Sequence, residues 1–154
     1  MKLDESCTSN PKSKISNWTD GIERAFVGCM AANPKKADQI QCRLTNFGAR
    51  TTRVAEMLPR TDEGRYISQQ LMRSGLAAAP NYAEARAAES RADFIHKLRI
   101  VLKELNETKS WLEQIVANNL FSREKMAAVI AENQELCWII AASIKTARGS
   151  ASSI

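Results

Sequence analysis

The sequence predicts an all-α protein built as an antiparallel up-down four-helix bundle. Three observations carry this. Ala, Leu, Glu, Lys and Arg dominate, and clusters of the strand-forming residues Val, Ile, Thr and Tyr are absent. Four segments place apolar residues at alternating steps of three and four, the spacing of a single helical face. The links between them are short and hold Pro, Gly, Ser or Asn, so neighbouring helices are expected to run antiparallel and bury one another's stripes. With 154 residues, 44% apolar and 25% charged, the chain suits one soluble domain.

The first helix is expected to begin between Pro34 and Arg43 and to run to Leu58, where Pro59 stops it. Leu44, Phe47, Thr51, Val54 and Leu58 form its stripe. The second starts near Thr61, a capping residue followed by Asp62 and Glu63, acids suited to a helix N-terminus. Ile67, Leu71, Ser74 and Ala78 continue inward. The small-residue run Ser74 to Ala79 lets a neighbouring helix approach closely, and Pro80 is expected to kink the helix before it ends near Ala87. The third is capped by Ser90, with Asp93 three residues on as a capping-box variant. Phe94, Leu98, Val101, Leu105, Thr108, Leu112 and Ile115 make its stripe, and Asn118-Asn119 end it. The fourth is capped by Ser122, buries Met126, Ile130, Asn133, Cys137, Ile140 and Ile144, and stops at Gly149.

The expected organisation is therefore an N-terminal extension over 1–40, a bundle over 41–148 and a tail over 149–154. Met1 to Asn17 is polar and expected to be poorly ordered. Thr19 is placed to cap a short amphipathic helix bearing Ile22, Phe26 and Met30. The start of the chain lacks the apolar run of a signal peptide, and no stretch reaches the ~20 apolar residues of a membrane span. Cys7, Cys29, Cys42 and Cys137 form no CxxC pair and match no zinc framework. Reduced thiols, a cytoplasmic location and no membrane partner are the expectations that follow.

Little in the sequence points to catalysis. His96 is the single histidine, so no His-based metal site can form. Glu104, Glu107 and Glu113 lack the Glu-x-x-His pairs of a bundle di-metal centre. Cys137 lies on the inward row and reads as an inert packed thiol. No enzyme activity, cofactor or metal is expected. Trp111 and Trp138 flank the core rows, as core-edge residues or as subunit contacts.

The charge is more informative. The net charge is +5, and 16 basic against 12 acidic residues lie between Arg43 and Arg148. Arg43, Arg50 and Arg53 fall near one side of the first helix, and Arg60, Arg65 and Arg73 follow. Guanidinium groups make forked contacts with phosphate, and a row of them can follow a nucleic-acid backbone. An ordinary solvated face is the competing reading, since no helix-turn-helix, zinc-finger or RNA-binding aromatic motif accompanies the row. A protein-interaction module, docking a partner through the small residues of the second helix and its Trp side chains, is a further alternative.

A set of spaced motifs adds to this. They are Leu58-Pro59, Gly64, Gln70 to Ser74, Asn81 to Ala85, Ser90 to Leu98, Glu104 to Thr108 and Trp111-Leu112. Together they make the chain resemble the four-helix-bundle family of 23S rRNA intervening-sequence proteins, over about Arg43 to Lys145. Pro80 departs from the small or polar residue usual in that family. The resemblance implies an antiparallel four-helix bundle assembled as a homopentamer, with no catalytic residues to carry over. A related branch comprises accessory proteins of diversity-generating retroelements, which implies RNA or DNA, and a reverse transcriptase or other protein, as partners. The polar motif positions are Arg73, Asn81, Glu84, Asp93 and Glu107, serving interhelical or intersubunit bonds or a binding site.

Overall fold

The computed structural model describes residues 35–149. The expected short helix after Thr19 and the expected tail from Ser150 lie outside the described residues. Four helices follow in order: α1 (Lys36–Glu56), α2 (Asp62–Arg86), α3 (Arg91–Ala117) and α4 (Arg123–Gly149). Each helix packs on its sequence neighbours, and α4 returns to α1 along the least contacted seam. α1 and α3, like α2 and α4, stand diagonally, with no Cα atoms within 8 Å of one another. That closed ring of four pairings is a four-helix bundle, with no strand among the described residues.

The ends follow the side-chain chemistry read from the sequence. The Thr61 hydroxyl accepts from the Gly64 N–H at 3.1 Å and caps α2, and the Ser90 hydroxyl accepts from the Asp93 N–H at 3.1 Å and caps α3. At the end of α3, Asn119 takes φ 55°. The Leu120 N–H bonds to the Ile115 carbonyl at 3.0 Å and the Asn119 N–H to the Val116 carbonyl at 3.1 Å. This is a Schellman closure, with asparagine in the left-handed position that glycine usually takes. α1 starts at Lys36, so residues 36–40, expected in the extension, form its first turn. α4 includes Gly149.

The core follows the stripes the spacing predicts, except that Phe94 and Ile130, expected inside, are only partly buried, while Val129 and Leu136 beside Ile130 are buried. Leu44, Phe47, Leu71, Leu98, Val101, Leu105, Leu112, Ile115, Leu136 and Ile140 are all fully buried or within 1% of it. Four buried polar residues interrupt it: Thr51, Ser74, Thr108 and Asn133. Each is hydrogen-bonded, as burial demands. The Thr108 hydroxyl donates to Ser74 Oγ at 3.0 Å, Asn133 Nδ2 donates to the Leu105 carbonyl at 3.0 Å, and the Thr51 hydroxyl donates to the Gly48 carbonyl at 2.8 Å. Ser74 also donates to the Gln70 carbonyl at 3.0 Å.

The small-residue run of α2 lies against α1. A Cβ added at Gly75 would meet Thr51 Oγ1 at 2.3 Å, and one added at Gly48 would meet the Gly75 carbonyl at 3.1 Å. The close approach expected there exists, and the chain's own α1 occupies it; Leu76, 50% exposed, is the large residue of the run left at the surface. α2 runs as one helix through Pro80. Side-chain amides serve the carbonyls beside the proline: Asn81 Nδ2 donates to the Ala77 carbonyl at 2.8 Å, and Gln41 Nε2 to the Ala79 carbonyl at 3.0 Å.

One expectation is qualified and one is corrected. No run of ~20 apolar residues occurs, yet α4 is by length and composition apolar enough to cross a membrane, with 33% of that apolar window buried inside the bundle. The sequence reading counted unbroken apolar runs, whereas α4 spreads Ala and Ile among few charges. Cys137 is a free, buried thiol, but Cys42 is disulfide-bonded, so reduced thiols do not hold throughout.

Candidate nucleic-acid interface

The six arginines singled out from α1 and α2 do not form one row, because their surroundings divide them. Arg43 projects at the seam between α1 and α4. Its guanidinium donates to both carboxylate oxygens of Glu132 at 2.9 and 3.0 Å and to Glu135 at 2.7 Å. The hydrogen bond to Glu132, with that to Glu135, outweighs desolvation and holds Arg43 above its ordinary pKa. Arg50, two turns on, is half-buried. Burial lowers its pKa, and the charge of Glu132 partly offsets this. Arg65 pairs with Asp62 and donates to the Arg60 carbonyl at 2.7 Å. Arg73 pairs across to Glu107 and donates to Gln70 Oε1 at 3.3 Å.

Arg43, Arg65 and Arg73 are thus matched by carboxylates of the chain itself, the first and last on opposite seams of the bundle. Arg53 and Arg60 have no ion pair among the described residues. They stand near the α1/α2 turn.

The polar motif positions fall together along the seam of α2 and α3. Arg73 pairs with Glu107, and Glu84 accepts from Lys97 Nζ at 2.6 Å. Asn81 bonds within α2, and the Asp93 N–H is held by the Ser90 cap. Glu84 holds Lys97 above its ordinary pKa, chiefly through that hydrogen bond. Gly64 has a steric reason of its own: a Cβ there would lie 2.0 Å from the Pro59 carbonyl oxygen. His96 is exposed. Among the described residues no group of three or more His, Cys, Asp or Glu side chains is placed to hold a metal.

Two concavities are lined by described residues. At the α1/α4 seam an apolar cleft of about 820 Å³ is lined by Ile40, Tyr82, Phe94, Ile139 and Ala142, with Arg43 at its edge. On the other side of α4, a groove of about 570 Å³ lies between α3 and α4, lined by Arg99 and Leu102 from α3 and Ala141, Ile144, Lys145 and Arg148 from α4. No carboxylate lines it, and none of its three cations has an ion pair among the described residues. The sequence reading missed this cluster. Each helix carries its share at helical spacing, but the two shares are 46 positions apart from Arg99 to Lys145.

Comparison with known proteins adds a name to this geometry. A family model described as "23S rRNA-intervening sequence protein" matches residues 39–142, which is most of the bundle. The chain belongs to that family. Among solved structures, this member of the 23S rRNA-intervening sequence proteins is similar to a protein of unknown function from the S23 ribosomal protein family of Bacteroides thetaiotaomicron. The two are 32% identical with a TM-score of 0.67, over 72% of this chain and 99% of that one. No curated protein matches the chain. The motifs that carried the resemblance fall within the matched range, and in this member the pairs Arg73–Glu107 and Glu84–Lys97 tie α2 to α3.

Proposed function

We propose that the chain is a non-enzymatic, self-assembling bundle that associates with nucleic acid through its basic surface. One observation carries this reading: the cationic surplus is left unspent. Arg99, Lys103, Lys145 and Arg148 have no ion pair among the described residues, whereas Arg43, Arg65 and Arg73 are matched by Glu132, Glu135, Asp62 and Glu107. Unpaired cations on a folded surface release counterions from a phosphate backbone, which supplies salt-dependent affinity. Filter binding of structured RNA and of duplex DNA between ~50 and ~200 mM salt tests it. Binding that weakens steeply with salt is expected, and no binding at the lower salt overturns the reading.

Assembly as a ring of antiparallel up-down bundles, five to a ring, belongs to the same proposal. Pairs between consecutive helices join the start of one to the end of its neighbour: Asp38 of α1 with Arg86 of α2, Lys97 of α3 with Glu84 of α2, and Arg91 of α3 with the Ala147 carbonyl of α4. A ring needs two different complementary faces on each subunit. α4 offers one in Trp138, 65% exposed, among the exposed Ala127, Ala128, Ala131 and Ala142. α2, its diagonal opposite, offers Tyr66 and Leu76, 57% and 50% exposed. Beside them on α3, the Trp111 indole N–H and one oxygen of Glu104 are buried without a hydrogen-bond partner.

A second reading, an accessory subunit docking a protein such as a reverse transcriptase, is favoured by the apolar cleft at the α1/α4 seam. Pull-down from the host should then recover a protein that survives nuclease treatment. Recovery of the chain alone argues against it.

A further inference from the structure

We propose that the groove between α3 and α4 is the place where a nucleic-acid strand binds, with its phosphates on Arg99, Lys145 and Arg148. The inference rests on the nucleic-acid reading above and gives it a site, away from the arginines of α1 and α2.

The charge is concentrated there by the sequence of both helices. From Phe94 to Lys103 α3 has no acidic residue, and from Leu136 to Gly149 α4 has none. Lys103 lies one turn beyond Arg99 on the same face of α3 and extends the positive strip along the groove. An ordinary structural cause exists for part of this. Cations in the last turn of a helix offset the partial negative charge of its carbonyls. That cause covers neither Arg99, which belongs to the start of a different helix, nor the whole set on α4. Arg91 already donates to the Ala147 carbonyl at the end of α4. Lys145 and Arg148 are exposed and have no hydrogen bond or ion pair among the described residues, so their positive charge faces outward.

The shape selects the ligand. Leu102, Ala141 and Ile144 put an apolar floor under the basic rim, and Ile144 is buried against the core. A groove of about 570 Å³ between two helices in contact is too small to take in a duplex, but it holds part of a single strand. An unpaired nucleotide can lay its base on the apolar floor and on the guanidinium planes while its phosphates meet the cations. A lipid or protein acid would use the charge but not the repeating spacing of charge and flat ring. The ligand class that fits is therefore single-stranded nucleic acid.

The test uses the full chain and fluorescein-labelled 12-nucleotide RNA and DNA strands, with the RNA duplex as a third probe, by anisotropy from ~50 to ~200 mM salt. A triple variant, Arg99→Gln, Lys145→Gln and Arg148→Gln, is compared with Arg50→Gln, Arg53→Gln and Arg60→Gln. The groove variant should lose roughly tenfold or more in affinity for single strands, and its log–log salt slope should become shallower by about 2, near 0.7 for each lost phosphate. The α1 variant should change little. Acetylation of the unsubstituted protein gives an independent readout: bound RNA should protect Lys103 and Lys145 and leave Lys125 reactive. If the unsubstituted chain binds none of the three probes, the nucleic-acid reading itself fails. If it binds but the groove variant keeps full affinity, or Lys145 stays as reactive as Lys125, the groove is not the site and the broader reading stands. Duplex binding as tight as single-strand binding overturns the choice of ligand.

Discussion

At the scale of single residues, space and backbone conformation govern the sharpest expectations. Gly75→Ala would drive a methyl into Thr51, which is fully buried and holds the Gly48 carbonyl, so neither side can yield freely. A loss of about 1–3 kcal/mol is expected in urea or thermal unfolding, while Gly149→Ala, with nothing within 4 Å, should be near neutral. Asn119→Ala should cost about 1–2 kcal/mol because alanine resists the left-handed conformation that closes α3, and Asn119→Gly should cost nothing or stabilise. Cys137 contributes a pH dependence. Burial pushes its thiol above its ordinary value of 9.0. The folded state therefore holds that proton more tightly than the unfolded chain. This contribution is complete below pH 9 and is lost as pH rises through the raised value. Tyr82 is displaced upward by burial too, from 10.0. Unfolding midpoints should fall from pH 9 upward, and Cys137→Ala should flatten the first part of that fall.

At the scale of helices, the seams differ in what holds them. α2 and α3 share a buried hydroxyl pair, Ser74 with Thr108, flanked by exposed ion pairs. α1 and α4 meet along the least contacted seam, and there the forked bond of Arg43 to Glu132 is only about a quarter exposed on either side. Glu132→Gln should cost about 1–2 kcal/mol, because a partly buried guanidinium loses its charged acceptor. Glu84→Gln should cost under ~1 kcal/mol, because Glu84 is 57% exposed and water replaces it. Thermal melts of the two variants side by side check this, and the reverse order would mean that the α1/α4 seam does not depend on Arg43. The same partition explains why the arginine row was only half legible. Helical spacing placed Arg43, Arg50 and Arg53 near one side of α1, but the carboxylates facing that side come from α4, 89 positions away in the case of Glu132.

At the scale of the whole molecule, the apolar outer side of α4 sets the expectation for assembly. Light scattering of the full chain should give about five times its 17.1 kDa mass, and Trp138→Glu should shift it to the single-chain value with the helical content unchanged. A single-chain mass for the unsubstituted protein would remove the ring from the proposal. Legibility declines steadily toward this scale. The helix caps at Thr61 and Ser90, the end at Asn119 and the buried stripes apart from Phe94 and Ile130 were readable, since each depends on neighbours three or four positions away. α1 starts at Lys36, inside the expected range from Pro34 to Arg43, and that range was wide because Lys36 to Gln39 carry no large apolar residue to announce the helix.

Local order came from residue chemistry alone: four helices and most of their inward faces follow from spacing within twenty-odd residues, while the family was legible only as a resemblance carried by motifs between Leu58 and Leu112. Packing added what spacing cannot hold. It matched Arg43 and Arg73 to carboxylates on opposite seams, used the small-residue run of α2 against α1, and brought Arg99 beside Lys145 and Arg148. The physical reason is that helical periodicity is a property of one segment, whereas charge pairing and grooves arise between segments and depend on how one helix is set against the next.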